Sequence, residues 1–111
     1  MHYFGSQTRS LYYNDFLSHV KYSIIDIIDD ITNNIETSTI LTKLTFLREN
    51  VQKRIPVYSN PIYSSRNTRI KTIYDFILNI IDNITSGTGL GIIQMRLTYI
   101  GNIIEEAIVH G

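Results

Sequence analysis

The chain has 111 residues, room for one hydrophobic core but not for two. A hydrophobic fraction of 43% and a mean hydropathy of −0.01 exclude both a disordered chain and a membrane-embedded one. Ten basic and ten acidic residues cancel, so no whole-molecule field draws the protein to nucleic acid or an anionic membrane, and the lack of cysteine excludes disulfides, thiolate metal ligands and cysteine nucleophiles.

The first ten residues lack the charged-then-apolar pattern of an export signal, and no run approaches eighteen apolar residues. The expectation is a protein with no signal peptide and no membrane span, in the cytoplasm of a cell or of a host. Isoleucine occurs 21 times against 8 leucines, with 9 asparagines and 8 tyrosines. AT-rich coding sequence of the kind carried by viruses and mobile elements produces that bias, so a viral protein is expected. Charged residues at 18% argue against a hyperthermophilic source.

In chain order, the first periodic segment carries Leu17, Val20, Ile24, Ile27 and Ile31, spaced three and four apart as on one stripe of an α-helix. It predicts a helix over 11–34. The second stripe, Ile40, Leu44, Leu47, Val51 and Ile55, predicts a helix over 38–55 with Ser38 as its N-cap. Within it Thr39 to Phe46 has partial strand alternation and β-favouring residues, which compete with the helical reading. Pro56 and Pro61 then break the pattern, and 56–66 reads as a linker.

Beyond the linker the pattern returns. Residues 24–47 align without a gap on 77–100, an offset of 53, with nine of the 24 positions identical. The two stripes map onto Ile70, Ile73, Ile77, Ile80 and Ile84, and onto Ile93, Leu97, Ile100, Ile104 and Ile108, so all ten positions stay apolar. Helices over 67–85 and 90–109 follow, joined by a turn in which Gly87 or Gly89 supplies a left-handed residue and Thr88 an N-cap. The expected fold is all-α, a four-helix bundle formed by tandem duplication of a helical hairpin, as a single domain.

Ile25, Ile28, Leu78, Ile81, Ile92 and Ile103 widen the apolar faces beyond one stripe, and a homodimer is expected to cover them. Residues 48–71 hold six cations, Arg48, Lys53, Arg54, Arg66, Arg69 and Lys71, against Glu49 alone, a local charge of +5. With Tyr58 and Tyr63 between them, they form a candidate surface for a protein partner or, as the alternative, for nucleic acid, where cations meet phosphates and tyrosines stack on bases. Lys53 and Arg54 would also complement the dipole at a helix C-terminus, whereas Arg66, Arg69 and Lys71 oppose it at a helix start.

No catalytic residue, metal ligand or cofactor is assigned. His2, His19 and His110 lack ligand spacing, and His19 beside the first stripe reads as a half-buried structural histidine. Asp26, Asp29 and Asp30, like Glu105 and Glu106, read as solvated acidic faces. The glycine-rich run from Gly87 to Gly91 follows a helix where a phosphate cradle follows a strand, so it reads as a turn. The expected function is non-enzymatic: a self-associating interaction or structural protein that binds an unidentified protein partner, such as a small viral structural or host-modulating protein or an immunity-type protein.

Overall fold

The computed structural model describes the backbone of residues 2–55 and 64–110, with side chains described over 13–55 and 65–110. Four helices account for nearly all of it: α1 His2–Thr32, α2 Thr37–Arg54, α3 Ser64–Thr85 and α4 Leu90–His110. No strand occurs among the described residues. The segment Thr39 to Phe46 lies wholly inside α2. Thr42 donates its hydroxyl to the carbonyl of Ser38 at 2.9 Å, and Thr32, Thr72, Thr85 and Thr98 make the same bond to the residue four earlier. Each of these five hydroxyls is satisfied within its own helix, and over Thr39 to Phe46 helical periodicity prevails over strand propensity.

Helix α1 starts at His2 rather than at 11, because once the periodic part has nucleated a helix each further residue costs little. Helix α3 starts at Ser64, so the last three residues expected in the linker are helical. Beyond the end of α1 the chain closes on Asn34, a non-glycine residue with φ 58°, and beyond the end of α3 on Gly87 with φ 87°. At the first end Ile35 N–H reaches the Asp30 carbonyl and Asn34 N–H that of Ile31; at the second, Thr88 N–H reaches Asn83 and Gly87 N–H reaches Ile84. Both are Schellman closures, and every participating residue has its counterpart 53 positions away.

The expected N-caps are corrected. Ser38 lies within the first turn of α2, whose N-cap is Glu36 with no side-chain cap bond. Thr88 lies one residue too early, since the carbonyl of Gly89 receives the N–H groups of Ile92 and Ile93, as that of Glu36 receives those of Thr39 and Ile40.

The helices pack as a bundle with extents of 49 × 21 × 20 Å. Helix α1 lies most extensively against α4 and α2 against α3, while the hairpin pairs α1–α2 and α3–α4 touch less. Exchanging the two halves maps this pattern onto itself. All buried side chains among the described residues are apolar or aromatic. Nine of the ten stripe positions of Leu17 to Val51 and Ile70 to Ile104 pair off as buried at both copies, and Ile55 and Ile108 pack on the rim of the core. Tyr13, Phe16 and Ala107 complete it. No described helix is long and apolar enough to cross a membrane.

Candidate functional site

Because α2 packs on α3, the C-terminal half of α2 and the first turns of α3 share one end of the bundle, and the six cations gather there. Lys53, Arg54 and Lys71 are exposed, while Arg48, Arg66 and Arg69 are half-buried. Tyr58 and Tyr63 lie outside the described residues.

The cations do not form one face. The Arg54 guanidinium lies 5.3 Å from the ring centroid of Phe16, and that of Arg66 lies 4.6 Å from that of Tyr13. Each covers an aromatic residue of the α1 core stripe, a contact of about 0.5–1 kcal/mol at exposed sites. For Arg66 this offers a reason to stand in the first turn of α3, where the helix dipole disfavours a cation. Lys53 and Arg54, in the last turn of α2, have the favourable dipole placement.

Two open grooves carry the rest apart. Lys53 and Arg54 line a groove of ≈ 410 Å³ between α1 and α2 with Asp15, Phe16 and His19. Arg69 lines its counterpart between α3 and α4 with Ile73, Ile103, Glu106 and His110. Since α1–α2 and α3–α4 form opposite sides of the bundle, these cations ring its end. His19 is exposed in the first groove, not half-buried as its place beside the stripe implied.

Four carboxylates, Asp26, Asp30, Glu105 and Glu106, are engaged in ion pairs. Lys43 on α2 reaches Asp26 at 2.8 Å and Asp30 at 2.6 Å on α1. These bonds, that to Asp26 foremost, hold the Lys43 ammonium above its ordinary value of 10.5. Thus two of the three expected solvated aspartates form a clamp. At the equivalent place Arg96 donates to Asn79 at 3.3 Å, and Asn83 donates to Asn79 at 3.1 Å, a neutral version of the same contact. Lys21 on α1 pairs with Glu105 on α4. Glu106 lies 3.5 Å from His110. Among the described residues no cluster of three or more acids or histidines has the spacing of a metal site.

The six extra apolar residues divide. Ile28 and Ile81 pack against the core, Leu78 and Ile103 are half-buried, and only Ile25 and Ile92 are exposed. Residues the sequence reading passed over are more exposed: Met95 at 72% and Tyr99 at 57%, with Val109 at 63%. Together with Ile92 they lie on the outer face of α4, and Phe76 of α3 meets Tyr99 with ring centroids 5.6 Å apart. Ile92, Met95, Tyr99 and Phe76 line an open groove between α3 and α4. Its α1–α2 counterpart has Ser23, Thr42 and Phe46 in matching places, so the groove between α3 and α4 is the more apolar of the two. A second 3–4 spacing along α4 was the available signal.

No family model matches the chain, and no curated protein or solved structure is significantly similar to it.

Proposed function

We propose that this protein is a non-enzymatic interaction module, a helical bundle that self-associates and presents its surface to a protein partner, built by tandem duplication of one helical hairpin. The single observation that carries the reading is the apolar outer face of α4, where Ile92, Met95, Tyr99 and Val109 are all at least half exposed although the helix already buries a full stripe in the core. A helix that is apolar on two sides normally has both covered. The duplication is supported by matched helix closures, matched core positions and helix pairing that is unchanged when the halves are exchanged. The composition fits a small viral structural or host-modulating protein, or an immunity-type protein, acting in the cytoplasm of a cell or host.

The second reading is nucleic-acid binding through the cations at the linker end, favoured by their local excess of charge. The two readings separate in one experiment. Light scattering on purified protein at low and high salt, with absorbance at 260 nm recorded, should give a dimer without nucleic acid at both. A monomer that retains nucleic acid at low salt and releases it at high salt would overturn the self-associating reading in favour of the second. In that case Arg69→Ala with Lys71→Ala should weaken binding and lower its salt dependence.

A further inference from the structure

We propose that α4 pairs with α4 of a second copy in antiparallel register, along the stripe Ile92, Met95, Tyr99, Asn102, Glu106 and Val109. This rests on the self-associating reading and adds to it the surface and the register.

The stripe is spaced three, four, three, four, three, the seam of a two-helix coil, and all six positions are exposed. It lies apart from the buried stripe Ile93, Leu97, Ile100, Ile104 and Ala107. At the matching places α2 carries Thr39, Thr42, Phe46, Glu49 and Lys53, also exposed, so the α4 stripe is the more apolar of the two. Four matching positions are buried and apolar in both helices, whereas Thr39 and Thr42 correspond to Ile92 and Met95, which locates the difference in polarity on the outer surface.

Charge complementarity selects the occupant and its direction. Arg96, which also donates to Asn79 of α3, lies beside the N-terminal part of the seam, and Glu106, 3.5 Å from His110, lies in its C-terminal part; both are exposed. An antiparallel two-fold midway between Tyr99 and Asn102 sets Ile92 against Val109 of the second copy at each end. It also sets Met95 opposite Glu106 of the second copy, with Arg96 beside them, so the symmetry provides two arginine–glutamate contacts. A parallel pairing would instead put Arg96 on Arg96 and Glu106 on Glu106. The seam spans about 25 Å at 1.5 Å per residue, and Phe76 against Tyr99 broadens it toward α3.

The chain has no cysteine, so cross-linking reads the register directly. Full-length Ile92→Cys and Val109→Cys variants, mixed under mild oxidation, should form a disulfide-linked heterodimer, whereas Ile92→Cys alone should not. Arg96→Glu and Glu106→Arg should each weaken the dimer roughly tenfold, and the double variant, with helical circular dichroism unchanged throughout, should recover it. A dimer that cross-links Ile92→Cys to itself, or that tolerates both charge reversals, overturns the antiparallel α4 pairing and leaves self-association standing. A monomer at every concentration overturns both.

Discussion

Asn34 and Gly87 occupy the same place in the two halves, each with positive φ as the closing residue of a helix. Glycine adopts that conformation without penalty, asparagine at modest cost and alanine at more. A side chain added at Gly87 meets no atom within 4 Å, so the cost of substitution there is conformational rather than steric. Gly87→Ala should therefore lower stability by about 1 kcal/mol. Gly91→Ala, inside the first turn of α4 with no positive φ and no nearby atom, should not lower it. Urea unfolding of both variants measures the difference, and equal losses would refute the conformational account.

Lys43 offers the pH-dependent counterpart. Its raised value means that the folded protein holds the proton more tightly than the unfolded chain, so the clamp to Asp26 and Asp30 stabilises fully below about pH 10.5 and is lost as pH climbs through the higher folded value. The stability gap between the protein and Lys43→Met should be present at about pH 8 and should narrow above about pH 11. A gap that stays constant across that range would exclude the ion pairs as its source. Periodicity alone placed Asp26 and Asp30 on a helix surface. It had no means of showing that Lys43, 13 and 17 residues away in the chain, turns back across the hairpin to reach both.

At the scale of elements, each helix was legible from the spacing of its buried residues. All ten stripe positions are buried or packed on the core, because a 3.6-residue period commits one side of a helix to the interior whatever its neighbour is. Ile24 and Ile77, 53 residues apart, are both fully buried on equivalent helices. Replacing either with alanine should cost about 2–5 kcal/mol, with the two losses similar to one another. Ile25→Ala, on an exposed position, should cost far less. Denaturant midpoints test this, and a large disparity between Ile24→Ala and Ile77→Ala would mean that the two halves pack differently. Helix ends were less legible. Caps depend on one or two backbone torsions, which is why Ser38 and Thr88 were misplaced while Gly87 was found.

Across the whole molecule, charge is uneven along the bundle. The six cations stand at the linker end among Asp15, Glu49, Glu105 and Glu106, while Asp26, Asp29, Asp30, Glu36 and Asp82 stand toward the other, with Lys43 and Arg96. The local excess was visible as a run of sequence, but its distribution was not. Lys53 and Arg54 line one side of the bundle and Arg69 the opposite side, because two helices diverging from one linker turn their surfaces to different grooves. The outer face of α4 was missed for a related reason. With 21 isoleucines in the chain, Ile92 looked like one more core residue until the position of α1 showed which side of α4 was already occupied.

By itself the sequence determined four helices, the identity of the core and the correspondence between halves, since these follow from periodicity and from local turn chemistry. Only the tertiary structure decided that α1 rests chiefly on α4 and α2 on α3, rather than each on its own hairpin partner. From that choice follow the Lys21–Glu105 pair, the Gln94 bond to Thr32 at 2.8 Å and the stacking of Arg66 on Tyr13. The physical reason is that an amphipathic stripe states that a helix must be covered, while the choice of cover depends on how four such stripes close around one shared core.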